Sequence, residues 1–174
     1  MSDPFSTLGL PASFDLRPDE IDRAYRDLQK VLHPDRFAGR SPQERRLGFG
    51  RAVEVNQAYR IVRNDLARAE ALLTLRGHAV SPDRKALPAL LMEMMERREA
   101  LSEARAAGDL ETVRAVAEEV RSERAAACTQ LSELFALEPE AGSSSVADAV
   151  IRLRYLERFL DELEAIEEDA ASVP

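Results

Sequence analysis

Hydrophobic residues recur about every three or four positions along most of the chain, a period that predicts α-helices rather than strands. The first clear pattern begins at Pro18, because proline suits the first position of a helix, and it ends before Pro34, which cannot continue one. Its apolar residues form one stripe, and they are Ile21, Ala24, Tyr25, Leu28 and Leu32. A second stripe on the same helix is basic and consists of Arg23, Arg26 and Lys30. We therefore expect one face to pack and the other to be exposed.

Two more helices are predicted in the N-terminal part of the chain. The first follows Ser41, because Ser41 and Glu44 fit a capping box. Two glycines weaken the first turns of this helix, and they are Gly48 and Gly50. Asp65 is expected to cap the next helix, which ends where Gly77 supplies a C-terminal cap.

The second half of the chain predicts a helical bundle. Three long patterns predict helices over about Ala89 to Ala107, Leu110 to Leu137 and Val146 to Ala170. Their connections are short, so an antiparallel three-helix bundle is expected. The predicted fold class is all-α, and its parts are an N-terminal helical unit at 1–77, a proline-containing linker at 78–88 and the bundle at 89–174.

Composition supports this prediction and removes several classes of function. Ala, Leu, Glu and Arg are frequent among the 174 residues, and all four favour helix. The formal net charge of −8 opposes general binding to nucleic acid. The lone cysteine, Cys128, is expected to be a small buried thiol, because a metal or cluster site needs several ligands. No apolar run reaches the ~20 residues that span a bilayer, and the opening residues lack the basic region of a targeting segment, so we expect a soluble cytoplasmic protein with no membrane partner. We also expect no cofactor and no resident metal.

The tripeptide His33-Pro34-Asp35 is the most informative motif in the chain. It follows a basic amphipathic helix and precedes a second capped helix, so the proline is expected to end the first helix and a loop to project His33 and Asp35. The basic stripe, hereafter the basic strip (Arg23, Arg26 and Lys30), then offers a positive surface to an acidic partner. This arrangement favours recognition of a partner protein over covalent chemistry.

Other interpretations of these residues stay open. His33 and Asp35 also fit a simple turn between helices in an all-helical adaptor protein. They fit the acid–base pair of a small hydrolase as well, although no serine or cysteine nucleophile stands beside them in the sequence. The basic strip fits an ordinary solvated helix face, partly neutralised by Asp27.

The order of basic helix, His-Pro-Asp loop and second helix resembles a J-domain. Several stretches narrow the resemblance to the HscB family, and they are FSTLGLP at Phe5 to Pro11, DLQKVLHPDRFAG at Asp27 to Gly39, NQAYRIVRNDLARAEALLTLRG at Asn56 to Gly77, LLMEMMERREAL at Leu90 to Leu101 and LRYLERFLDEL at Leu153 to Leu163. The chain departs from that pattern at Arg17, where a capping side chain is conventional, and at the two helix glycines. It also lacks the N-terminal tetracysteine metal module of some relatives.

The resemblance implies an N-terminal J-domain followed by a three-helix bundle, in a co-chaperone that is not itself an enzyme. It implies stimulation of the ATPase of an HscA/DnaK-type chaperone and delivery of an IscU-type iron–sulfur scaffold to that chaperone. The implied chaperone-binding residues are His33, Pro34, Asp35, Arg23, Arg26 and Lys30. The implied scaffold-binding residues are Leu91, Met92, Met95, Glu96, Glu99, Glu103 and Tyr155.

Periodicity alone gives the second set a different role. Leu91 and Met95 are spaced as bundle core residues would be, and the glutamates as a solvated face. A J-domain protein with a different client also fits the N-terminal motif. The position of these side chains in the folded chain therefore distinguishes an interface from a core.

Overall fold

The computed structural model describes residues 3–33, 35, 39–80, 86–137 and 144–171, with the backbone alone described at 169–171. The described chain is helical and divides into two compact units, Met1–Ala79 and Val80–Pro174. The N-terminal unit holds α1 (Pro4–Leu8), α2 (Pro18–Leu32), α3 (Pro42–Arg63) and α4 (Asp65–Leu75). The C-terminal unit holds α5 (Pro88–Ala107), α6 (Leu110–Leu137) and α7 (Ser144–Ala171). Within the described ranges, no helix is long and apolar enough to cross a membrane.

The N-terminal unit is built on α3, against which α1, α2 and α4 pack. The short helix α1 was not predicted from periodicity, and its start depends on Asp3, whose carboxylate accepts the backbone N–H groups of Phe5 and Ser6. The largest side chains of this core are fully buried, and they include Phe5, Ile21, Val55, Leu72 and Leu73. This core fixes the direction in which α2 runs toward residue 33.

A polar cluster joins α2 to α3 alongside that core. The rings of Tyr25 and Tyr59 stack with centroids 4.1 Å apart. The hydroxyl of Tyr25 donates to Asn56 at 3.0 Å, and the hydroxyl of Tyr59 donates to Asp22 at 3.0 Å. The bond to Asp22 is the largest cause of a raised pKa at Tyr59, because the carboxylate stabilises the protonated phenol. Arg63 adds an ion pair to Asp22 at 3.2 Å, so the hairpin is held by directional contacts as well as by apolar packing.

Capping side chains determine where α3 and α4 begin. Ser41 and Glu44 form the predicted capping box, and α3 runs through both glycines without a break. Asp65 was wrongly predicted as the next cap: the side chain of Asn64 accepts the Ala67 N–H at 2.8 Å, and Asp65 is the first helical residue. Both Asn and Asp are good caps, so the sequence offered two adjacent candidates.

The C-terminal unit is a three-helix bundle in which α6 packs extensively against α7. The apolar residues of α7 recur at steps of three and four, and Val146, Val150, Leu153, Leu156, Leu160 and Leu163 are buried in the core. Ile166, the next residue of this stripe, is half-buried. The helix begins at Ser144, ahead of the predicted Val146. Cys128 is half-buried rather than fully buried as predicted.

Charged residues also connect all three helices of this bundle. Arg152 on α7 bonds to both carboxylate oxygens of Glu93 on α5 at 3.1 Å and to Glu123 on α6 at 3.0 Å. Arg97 on α5 pairs with the same Glu93 and Glu123 and is mostly buried. Contacts with these carboxylates outweigh the burial of Arg97 and raise its pKa. The network therefore adds directional contacts between α5 and both neighbours.

Candidate functional site

The end of α2 projects the His33 corner into solvent. His33 is the C-cap of the helix, with φ −59° and ψ 134°, so the backbone turns away from the helix there. The side chains of His33 and Asp35 are both exposed, and their Nδ1 and Oδ2 atoms lie 3.4 Å apart. The backbone N–H of Asp35 also lies 3.4 Å from Nδ1 of His33, so both contacts of the imidazole are made on its Nδ1 side. Pro34 lies outside the described residues.

This corner is poorly suited to acid–base catalysis. Both side chains are open to water, which screens their charges. Among the described residues, no serine or cysteine is hydrogen-bonded to either side chain. The exposed side chains of His33 and Asp35 at the end of α2 instead form a surface that a partner protein can contact.

The basic strip lies on the exposed side of α2, leading toward this corner. Lys30 forms an ion pair with Asp27 at 2.8 Å. Asp27 was expected to neutralise part of the basic strip, and it does so at Lys30. Lys30 is also the largest cause of the lowered pKa of Asp27, with smaller contributions from Arg23 and Arg26. Neither arginine has an ion-pair partner in the part of the chain that the structure describes. Two guanidinium groups thus stay available to an anionic surface.

A second candidate surface lies on α5, where adjacent apolar side chains differ in their exposure to solvent. Leu90 is 8% exposed and Met94 is 1% exposed, so these two face the bundle core. Leu91 is 38% exposed and Met95 is 69% exposed, and Met92 is exposed as well. The interpretation of Leu91 and Met95 as bundle core is therefore wrong. An exposed cluster of unbranched, adaptable methionines is typical of binding surfaces.

Carboxylates continue this surface along α5. Glu96, Glu99 and Glu103 are exposed, and within the described ranges none of them is in an ion pair. We call the whole set the α5 face, and it consists of Leu91, Met92, Met95, Glu96, Glu99 and Glu103. Its apolar end and its acidic end are adjacent, so it suits a partner that presents both apolar and basic groups.

Tyr155 reaches the same neighbourhood from α7. Arg98 lies between Met95 and Glu99 in sequence and forms a two-pronged ion pair with Glu162, at 2.9 and 2.6 Å. The guanidinium lies 5.9 Å from the ring centre of Phe159. The bond to Glu162 is the largest cause of the raised pKa of Arg98, and Tyr155 makes a smaller contribution. Tyr155 is therefore close enough to Arg98 on α5 to interact with it electrostatically.

Sequence patterns missed the charged residues that hold α5 in place. Glu93 and Arg97 are spaced one turn apart, which signals a pair on a single helix, but nothing in that spacing indicates the partners on α6 and α7. In the described part of the chain, no cluster of three or more His, Cys, Asp or Glu side chains is arranged to hold a metal ion.

Comparison with known proteins relates the chain to one known family. Residues 87–164 match a family model described as the HSCB C-terminal oligomerisation domain. The chain is 36% identical over 163 residues to the co-chaperone protein HscB homolog of Burkholderia multivorans, covering 92% of this chain and 91% of that protein. It is 38% identical to the homolog of Ralstonia nicotianae, covering 94% and 93% of the two chains.

Comparison with solved structures relates the fold of the chain to the same family. The chaperone HscB from Vibrio cholerae matches with a TM-score of 0.83 and 31% identity, covering 97% of this chain and 99% of that one. Human co-chaperone HscB has the same fold, with a TM-score of 0.83 over 96% of this chain and 83% of the human chain at 23% identity. The N-terminal unit is accordingly a J-domain, and the C-terminal unit is the HscB helical bundle. The chain belongs to the HscB family of co-chaperones.

Proposed function

We propose that this protein stimulates the ATPase of an HscA/DnaK-type chaperone through its J-domain and delivers an IscU-type iron–sulfur scaffold held on its bundle. In this scheme residues 1–77 act on the chaperone, 78–88 connect the units, and 89–174 hold the scaffold. The observation that carries the proposal is the contrast on α5, where Leu91 and Met95 are exposed beside the buried Leu90 and Met94. A folded bundle that leaves apolar side chains in water has a surface suited to a partner.

The chaperone contact uses the His33 corner and the basic strip. Arg23 and Arg26, whose guanidinium groups form no ion pair with the described residues, attract an acidic surface and align the J-domain on it. His33 and Asp35, with Pro34 between them, then insert at the chaperone's ATPase unit. The chaperone performs the hydrolysis, and the co-chaperone supplies only binding free energy that favours its hydrolysing state.

The scaffold contact uses the α5 face together with Tyr155. The methionines and Leu91 bury apolar area on the scaffold, and the exposed carboxylates of Glu96, Glu99 and Glu103 pair with basic groups there. Since the two contact surfaces lie on different units, both partners are bound at once. Delivery then follows from simultaneous binding, because linking two contacts raises the effective concentration of one partner at the other.

The experiment compares steady-state ATP turnover by the chaperone with wild-type protein, His33→Gln and His78→Gln. His78 is the second histidine of the chain, and it is exposed at the end of α4, so its replacement is a matched control. We expect His33→Gln to abolish stimulation and His78→Gln to keep it. Equal stimulation by His33→Gln and wild-type protein would contradict the proposal, provided that circular dichroism shows both folded.

A further inference from the structure

A cleft opens at the end of the bundle where α5 begins. Its volume is about 260 Å³. The residues that line it come from all three helices of the bundle and from the residue before α5, and they are Leu87, Leu90, Gln130, Ser145, Asp148, Ala149, Ile151 and Arg152. Leucine, alanine and isoleucine side chains form its apolar part, while the amide, hydroxyl and charged groups supply hydrogen-bonding partners. The α5 face as defined above does not include any of these residues.

Leu87 makes this cleft continuous with the α5 face. It is the N-cap of α5, and its carbonyl accepts the N–H of Leu91 at 3.2 Å, one helical turn further on. Its side chain is 58% exposed although it lines the cleft. Leu87, Leu91 and Met95 therefore follow one another at steps of four residues, and exposed apolar surface extends from the α5 face to the cleft.

We propose that the cleft receives an apolar side chain of the same scaffold protein that the α5 face holds, and that Leu87 is an additional scaffold contact. This inference rests on the proposed function. The size fits one large side chain, since a cavity of roughly 150 Å³ accommodates a benzene ring and drug-sized ligands need roughly 300 Å³ or more.

One wall of the cleft is fixed before the partner arrives. Arg152 bonds to Glu93 on α5 and to Glu123 on α6, so its guanidinium is held by three hydrogen bonds of 3.0 to 3.1 Å. Little side-chain entropy remains to be lost at this position on binding. The charge of Arg152 is also matched within the network, so the cleft attracts an apolar group rather than an anion.

A second copy of this chain is a less suitable occupant. A symmetric contact between two copies through this region would bring the acidic part of one α5 face toward the other. Glu96, Glu99 and Glu103 have no ion-pair partners in the described chain, and the protein carries a formal net charge of −8. Like charges across such a contact oppose association, whereas a partner with basic groups is attracted.

The test measures the affinity of the full-length protein for purified IscU-type scaffold by calorimetry. Leu87→Ala and Leu87→Glu remove the contact at an exposed position, and Ala149→Leu adds volume to the cleft wall. Leu110→Ala and Leu110→Glu are the matched controls, because Leu110 is an exposed leucine of the same bundle at the start of α6. Thermal unfolding of each variant shows which variants are folded. If Ala149→Leu is not folded, the scaffold affinity of Leu87→Glu alone tests the cleft.

We expect Leu87→Ala to weaken scaffold binding about fivefold to tenfold, because the side chain loses its apolar contact with the scaffold. Leu87→Glu and Ala149→Leu should weaken it at least as much, and the Leu110 variants by less than about twofold. Chaperone stimulation measured without scaffold should stay at the wild-type level. Met95→Ala is measured in parallel: if it weakens binding while the Leu87 variants do not, the cleft inference fails and the proposed function stands.

Two further outcomes would also overturn the inference. If neither Met95→Ala nor Leu87→Glu weakens scaffold binding, the proposed scaffold site is wrong altogether. Sedimentation velocity on wild-type protein and Leu87→Glu tests for a second copy as occupant. A wild-type dimer that Leu87→Glu converts to monomer, with unchanged scaffold affinity, would assign the cleft to self-association.

Discussion

Alanine substitution at two neighbouring methionines separates folding from binding on α5. Met94 is 1% exposed and Met95 is 69% exposed, so the two side chains differ in environment and not in chemistry. Replacing a buried methionine by alanine costs about 2–5 kcal/mol, through lost apolar contact and a residual cavity. The same replacement at an exposed helix position changes the free energy of unfolding by about 0.5 kcal/mol or less.

These free energies convert directly to unfolding temperatures. For a unit of this size, about 1 kcal/mol shifts Tm by roughly 4–8 °C. Met94→Ala is therefore expected to lower the Tm of the bundle by roughly 10 °C or more, and Met95→Ala by less than roughly 4 °C. Scaffold affinity should show the opposite order, with about a tenfold loss in Met95→Ala. Circular dichroism and calorimetry make both measurements on the same samples.

Two results with Met95→Ala would contradict the assignment of Met95 to the α5 face. If Met95→Ala lowers Tm as much as Met94→Ala does, Met95 belongs to the core and the α5 face does not exist as described. If Met95→Ala keeps both its Tm and its scaffold affinity, the exposed methionines are not the contact. Either result removes the observation on which the scaffold assignment depends.

Three other predictions concern the J-domain. Asn64→Ala should destabilise the N-terminal unit by about 1 kcal/mol, because the cap to the Ala67 N–H is lost; urea unfolding measures this, and an unchanged midpoint would contradict the cap. Tyr59→Phe should cost about 0.5–1.5 kcal/mol by removing the bond to Asp22. Because Asp22 raises the pKa of Tyr59, that contribution is complete below the ordinary phenol pKa of 10.0 and is lost as pH rises through the higher folded value; a wild-type protein and a Tyr59→Phe variant equally sensitive to alkali would count against it. Arg26→Ala should weaken binding to the chaperone and reduce its dependence on salt, as measured by calorimetry at several ionic strengths; an unaltered salt dependence would exclude Arg26 from the contact.

Most of the fold was predictable because local rules and packing agree. In α2, proline at the start, acidic residues in the first turn and one apolar stripe all indicate the same helix, and the structure has it at Pro18–Leu32. The short α1 was missed because a helix of five residues is too short to show a period. Its formation depends on the Asp3 cap and on burial of Phe5, which is tertiary information.

The candidate sites were only partly accessible to the same reasoning. On α5, Leu90, Leu91, Met94 and Met95 form adjacent apolar pairs. Helical period cannot decide which member of each pair faces the core, because both choices give an apolar stripe. The family resemblance named Leu91 and Met95, and packing places them outside the core. The cleft beside Leu87 depends on how three helices meet, which a periodic pattern within each helix does not indicate.

In the proposed function one chain couples a J-domain contact to a scaffold contact, and chaperone ATP turnover with and without the IscU-type scaffold measures this coupling. Wild-type protein should stimulate turnover and should do so synergistically with the scaffold. Met95→Glu should keep the basal stimulation and lose the synergy, while His33→Gln should lose both and still bind the scaffold. Stimulation by wild-type protein that is indifferent to scaffold, or synergy that survives in His33→Gln, would contradict the account.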